Sequence, residues 1–311
     1  MFKQDLFAST SAGRNMIEIA DRIYFIESEN RGRYPNSHSL FVDDDLGMVI
    51  DPACREELML ELAASHKTSI ILNTHYHEDH RIYNYCFTRA QLYTHELDAR
   101  GYGSIEDFMQ DFSVVNSDTL KNFWRDFLLD NCKYRPYTVA QTFSDGFQID
   151  LGHTVVKTIH TPGHSAGHSC FYFPKEQVLY LGDIDLTSFG PWYASRNSDI
   201  DAWLTSIERV RRLKPKIVVT SHGDGLVTEN LDARIQTYAN TIHQRDNRIL
   251  EFLQRPRTKE EILDLEIVYR RNHKSPDSFF YWDDRMMIEM HIFRLERQGR
   301  LKRLDRNYVI G

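Results

Sequence analysis

Long apolar runs are missing from this chain of 311 residues. Nowhere do 18 apolar residues follow one another, so no membrane-crossing helix is expected. The N-terminal stretch MFKQDLFASTSAGRNM lacks the apolar centre of a secretory leader, which leaves a cytoplasmic location as the expectation. Cysteine is scarce as well: Cys54, Cys86, Cys132 and Cys170 are scattered without CxxC spacing. That argues against a disulfide framework or a thiolate zinc site and for reduced, packed thiols. Low-complexity tracts are absent, so no segment reads as disordered. A surplus of positive charge is lacking too, and a net charge of −7 argues against a general binder of phosphate backbones.

What is present suits a folded, water-soluble protein, with 41% hydrophobic and 27% charged residues. Single cores stop growing near ~250 to 300 residues, so a large domain with a small one is expected. Charge marks the second unit: residues 254–311 carry 13 Lys and Arg against 10 Asp and Glu, whereas the preceding residues are net acidic. The boundary is placed at 225, giving a catalytic unit over 1–225 and a helical one over 226–311.

The first third alternates strand patterns with turns: EIADRIYFIES, SHSLFVDD and MVIDPA read as an antiparallel meander. CREELMLELAASH has helical periodicity and leads into TSIILNTH, a short apolar run typical of a strand covered on both faces. After the strand QLYTHE, residues 97–137 form a helical insertion with an apolar stripe that includes Phe108, Phe112, Trp124 and Phe127. It packs on the body, covers a pocket as a lid, or makes a dimer contact; a homodimer is the candidate assembly. Strands resume at TVAQTFSDGFQIDLG, HTVVKTIHTPGH, SCFYFP and VLYLGDID, followed by the helix IDAWLTSIERVRRL and the strand KIVVTSH. Two blocks of strands, each closed by helices, predict an α/β sandwich of two facing sheets with helices outside. Beyond Gly225 the pattern is helix, helix with a capping box at Thr258 and Glu261, helix stopped by Gly299, then a hairpin near Asp305. That is a winged-helix order.

The densest chemistry lies in NTHYHEDH, residues 73–80. His75, His77, Asp79 and His80 offer four imidazole or carboxylate ligands in six positions, a set suited to zinc, manganese or iron. Grouped imidazoles repel when protonated and are hard to satisfy when buried, so a packing role explains them poorly. Three more strand ends close on such residues: TPGH at His164, LGD at Asp183 and VTSH at His222. His38, His95, His153 and His160 lack such spacing and read as packing or surface histidines.

The ordered motifs THYHEDH, TPGHSAGH, LGD and SHG resemble those of the metallo-β-lactamase superfamily in its αββα hydrolase form, over roughly residues 17–225. The resemblance implies a four-layer αββα sandwich, with the tail similar to the small winged-helix-like C-terminal domain of the lactamase-β-like branch. It implies two divalent ions, zinc first, with iron or manganese as alternatives. His75, His77 and His164 would hold one and Asp79, His80 and His222 the other, with Asp183 bridging. A hydroxide shared between the ions would attack the substrate, Asp79 would orient it, and Asp79 and Asp183 are the catalytic candidates. His168 would support the ligands from behind rather than bind metal.

Candidate substrate contacts are Arg81, where many relatives have a small residue and whose alternative is an ion pair with an acidic surface neighbour, and the loop DLTSFGPWYASRN with Phe189, Trp192, Tyr193 and Arg196, whose aromatics otherwise pack the loop. RGRYPNS, residues 31–37, would frame the entrance with that loop. In the tail, Arg294, Arg297, Arg300, Lys302 and Arg303 form either a phosphate-facing strip or a solvated or domain-packing face diluted by acidic neighbours. The expected activity is hydrolysis of an ester, thioester or lactone of a small metabolite. The alternatives are a nuclease acting on single-stranded nucleic acid and an iron-dependent redox member of the same superfamily.

Overall fold

The computed structural model describes residues 16–65, 67–113, 117–269 and 275–311. Residues 1–15 of the stretch read for a leader, and positions 114–116 of the insertion, lie outside the described residues. The meander forms as β1 (Met16–Ala20), β2 (Ile23–Ile26), β3 (Ser39–Val42) and β4 (Gly47–Ile50), each antiparallel to the next. Helix α1 (Glu56–Ala64) buries Leu58, Met59 and Leu62, and returns the chain to β5 (Thr68–Leu72), parallel to β4. Two more parallel strands, β6 (Gln91–His95) and β7 (Gln141–Phe143), complete a seven-stranded sheet in chain order. Between them run α2 (Ile105–Met109) and α3 (Asp118–Asp130), capped by Ser104 and Ser117.

The second sheet has six strands: β8 (Gln148–Asp150), β9 (Val155–His160), β10 (Ser169–Phe173), β11 (Val178–Tyr180), β12 (Ile217–Val219) and β13 (Leu226–Val227). Only β11 and β12 pair in parallel, because α4 (Ile200–Leu213) makes the crossover between them. Side chains alternate across these strands, so each sheet presents two apolar faces. Ile23, Leu40, Ile50 and Leu72 meet Phe171, Phe173, Val178 and Tyr180 between the sheets. The outer face of the first sheet packs on α1 and the insertion, that of the second on α4 and the C-terminal helices. The result is the αββα layering expected from two helix-closed strand blocks.

The C-terminal part runs α5 (Leu231–Phe252), β14 (Arg257–Thr258), α6 (Lys259–Leu263), α7 (Phe279–Arg297), β15 (Leu301–Leu304) and β16 (Asn307–Ile310). Thr258 and Glu261 make the capping box reciprocally. The hairpin gains β14 as a third strand against β16, which the sequence pattern did not show. Ile235, Ile242, Met287 and Ile292 share one apolar cluster with Trp203 and Ile207 of α4. No described helix is long and apolar enough to cross a membrane, and all four cysteines are unpaired.

Candidate metal centre

Parallel strands deliver their C-terminal ends to one edge of a sheet, and here both sheets deliver theirs to the same sandwich edge. His75 and His77 follow β5, and Asp79 and His80 sit in the short 3-10 turn Glu78–His80. His164 follows β9, Asp183 follows β11 and His222 follows β12. All seven side chains converge in three overlapping groups able to hold a metal: His75, His77 and His164; His75, His80 and Asp183; Asp79, His80 and His222. His164 Nε2 stands 3.1 Å from His75 Nε2 and 2.9 Å from His77 Nδ1. Asp183 faces both sides, with Oδ2 3.1 Å from His164 Nε2 and Oδ1 2.9 Å from His80 Nε2 and 3.4 Å from His222 Nε2.

Each of four rings is held from behind by an acceptor for its other nitrogen. His75 Nδ1 donates to Thr74 Oγ1 at 3.0 Å, and His80 Nδ1 to Asp51 Oδ2 at 2.9 Å. His164 Nδ1 donates to the Trp192 carbonyl at 3.1 Å, and His222 Nδ1 to that of Gly32. With Nδ1 protonated, these rings present a lone pair on Nε2 to the common centre, the tautomer a metal ligand needs. His80 Nε2 and Asp183 Oδ1 are both buried there, 2.9 Å apart. Divalent metal fits such a donor set.

Electrostatics agree. Burial, with help from neighbouring histidines, holds His75 well below the ordinary imidazole range, and burial likewise lowers His77 and His164. His80 and His222 shift the other way: burial opposes their charge, but Asp183 and Asp79 outweigh it, taking His222 up to about 9. Burial also opposes the charge on Asp183, yet His80, His164 and His222 pull its carboxyl well below the usual range. Protons and cations therefore compete for one anionic centre, and bound metal would release those protons.

Some of the framework had no signal in the chain. Asp51, just past β4, accepts from Thr74 N at 2.8 Å, Thr74 Oγ1 at 2.7 Å and His80 Nδ1, tying the two ends of the first motif together. Asp98 accepts from Ser165 Oγ and Gly167 N, both at 2.7 Å, and so shapes the loop that carries His164. Tyr102 OH donates to the His75 carbonyl. An acidic residue after a strand was the available hint for Asp51; Asp98 had none.

His168 lies behind Asp183. Its Nδ1 donates to the Thr161 carbonyl, and its Nε2 accepts from Asp183 N at 3.1 Å. Burial takes it down to about 3, keeping the ring neutral. Gly182 permits this approach, since it has φ +59° and a Cβ there would stand 2.6 Å from His168 Nε2. The four histidines read as packing or surface residues have local partners: His38 accepts from Ser28 N, His153 pairs with Asp44, and His95 stacks on His160.

The substrate candidates separate. Trp192 is half-buried with its ring 5.7 Å from His77 and 5.2 Å from His164, so it walls the centre. Phe189 is 37% exposed and packs on Tyr269. Tyr193 does not join that wall: it is fully buried and turned toward the C-terminal helices, where its hydroxyl meets His291 Nε2. Arg81 does not face the substrate side either. At 3% exposure it donates to the carbonyls of Gly101 and Arg135, and lies over the rings of Tyr102, Tyr134 and Tyr137. It is the anchor of the insertion. Arg196 lines a separate cleft of about 480 Å³ between the start of α4 and α7, with Arg294, Arg297 and Phe293.

The rim is aromatic. Phe112 of the insertion lies 5.0 Å from the His77 ring and 5.9 Å from Trp124, which stacks on Phe127 and meets Phe279 of α7. Tyr34 stacks on Phe127 and donates to Glu78, placing the 31–37 loop at the entrance. Trp192 Nε1 donates to Tyr269 OH at 3.0 Å, while Asp283 accepts from Tyr269 OH and Ser113 Oγ. The insertion and the C-terminal part therefore meet beside the centre.

A family model described as the metallo-beta-lactamase superfamily matches residues 31–222, which include all seven converging side chains. The chain belongs to the metallo-beta-lactamase superfamily. Superfamily relatives include an atrochrysone carboxyl ACP thioesterase of Aspergillus fumigatus, 25% identical over 201 residues that cover 64% of this chain and 52% of that protein. A beta-lactamase-like protein 2 homolog of Drosophila melanogaster is 28% identical over 47% of each chain. The chain thus spans about half the length of these two curated relatives. Among solved superfamily structures, a metallo-beta-lactamase family protein from Thermus thermophilus superposes with a TM-score of 0.67 at 20% identity. That match covers 94% of this chain and 99% of that one. A beta-lactamase domain protein from Burkholderia ambifaria gives 0.68 at 17% identity over 98% and 96%. At these identities the likeness shows the fold, here across nearly the whole chain.

Proposed function

We propose that this superfamily member is a binuclear metal-dependent hydrolase that cleaves an ester, thioester or lactone of a small metabolite with an apolar acyl part. The observation that carries this reading is the set of four histidines whose Nδ1 protons are fixed from behind, converging with Asp183 and Asp79. His75, His77 and His164 would hold one ion, Asp79, His80 and His222 the other, and Asp183 both. Two such ions supply water acidified to a pKa of about 7 and a Lewis acid for the carbonyl oxygen. The protein's own part is placement. Asp51 orients His80, Asp79 orients the water, and Trp192, Phe112 and Tyr34 exclude bulk solvent around the acyl group.

Zinc is the proposed metal, and the carboxylate-lined, aromatic rim favours an acyl substrate over a polyanion. Arg294, one of the tail's candidate phosphate contacts, is 7% exposed and neutralised by Asp201 and Asp246, which removes it from a phosphate-facing strip. The thioesterase name among the relatives supports a thioester in particular. The test is a screen of zinc-loaded protein against acyl-CoA thioesters, lactones, simple esters, phosphodiesters and short RNA. Turnover of acyl compounds that chelator abolishes is the expected result; turnover of RNA or phosphodiesters alone would contradict the reading.

A further inference from the structure

Helix α5 belongs by sequence pattern to the C-terminal part, yet its side chains grip the loop that carries the metal-facing groups. Tyr238 OH donates to the Asp183 carbonyl at 2.8 Å. Two turns later on the same helix face, Arg245 Nη2 donates to the Phe189 carbonyl at 2.7 Å, and Nη1 to the Pro191 carbonyl and to Tyr193 OH. The next carbonyl, that of Trp192, is the one that fixes His164 Nδ1. The loop from 183 to 193 thus has its Asp183 end and its Trp192 end clamped by a single helix.

The clamp is itself supported. Arg245 is 3% exposed, and its guanidinium lies 5.5 Å from the Phe189 ring centre and 5.4 Å from that of Tyr193. Tyr193 OH donates to His291 Nε2 at 2.6 Å, and His291 Nδ1 donates to Asp246 Oδ1 at 2.7 Å. Asp246 also takes Arg294, whose Nε reaches Asp201 of α4. A buried network in which every member is paired has one low-energy arrangement, and it transmits that definition to whatever it touches.

We propose that Tyr238, Arg245 and Tyr193 are positioning residues of the metal centre: α5 sets the backbone that aims Asp183 and His164. This rests on the two-metal reading above. Groups that orient ligands from behind commonly change metal affinity by about 10- to 100-fold. The experiment compares Tyr238→Phe, Arg245→Lys and Tyr193→Phe with Gln244→Ala, an exposed change on the same helix. Full-length proteins are stripped of metal, checked by circular dichroism and thermal melting, then titrated with zinc against a competing chelator and with cobalt for its d–d absorption.

The expected outcome is a melting temperature of the metal-free Tyr238→Phe protein within a few degrees of wild type, with zinc affinity lowered at least about 10-fold. Arg245→Lys should weaken zinc binding further and alter the cobalt spectrum, while Gln244→Ala changes neither. Wild-type affinity and spectrum in all three clamp variants, whatever their melting temperatures, would overturn the proposal while leaving the two-metal reading intact. Failure of the wild-type protein to bind zinc or cobalt would overturn both.

Discussion

Asp183 and His164 carry the sharpest test at the scale of single residues. Both lie outside the apolar clusters that hold the sheets together, so Asp183→Ala and His164→Ala should each abolish turnover while leaving circular dichroism unchanged. Retained wild-type turnover in either would show that this centre is not catalytic. Asp51→Asn should lower zinc affinity about 10- to 100-fold in a chelator competition, because it weakens the acceptor that fixes His80. Arg81→Ala should cost about 3 kcal/mol in urea unfolding, since it deletes charge-assisted bonds to two carbonyls distant in the chain. The seven converging residues were legible because imidazoles and carboxylates at strand ends have few other uses. Asp51, Asp98 and Arg245 were not, since each is an ordinary polar residue until the fold supplies its partner. Arg81 stood out for its size beside the motif, but only the tyrosines of the insertion show which way it points.

Between elements, the contact of the insertion with α7 is the feature that sequence patterns could not place. The helices of both were readable, those of the insertion from their apolar stripe and α7 from its Gly299 stop, and the first strands were readable as an antiparallel meander from their turns. Which helix meets which depends on complementary surfaces, here Trp124 on Phe279 and Asp283 beneath Ser113 and Tyr269. Burial pushes Asp283 up to about 7, against the hydrogen bonds from Ser113 and Tyr269, and Asp284 beside it adds to the rise. A carboxyl whose folded pKa is raised contributes stability fully below its unfolded pKa near ~4, and loses it as pH rises toward 7. The melting temperature of metal-free wild type relative to Asp283→Asn should therefore fall between about pH 4 and 7 and level off above. A difference that rises over that range would contradict the contact as described.

For the whole molecule, the four-layer sandwich was legible because two blocks of strands, each closed by helices, leave few other ways to bury both faces of two sheets. The C-terminal part was legible as an element order and less so as a partner. Its helices share one apolar cluster with α4, and its α5 holds the loop after β11. Net charge of −7 and an aromatic rim predict that the full-length protein shows no salt-sensitive binding to single-stranded RNA at low salt, measured by fluorescence anisotropy. Affinity falling steeply with added salt would favour the nuclease reading instead. The central claim is the pair of metal ions, and elemental analysis of protein purified without added metal and under anaerobic conditions addresses it most directly. The account predicts close to two zinc ions per chain, with loss of metal in Asp183→Ala; one iron ion per chain would contradict it.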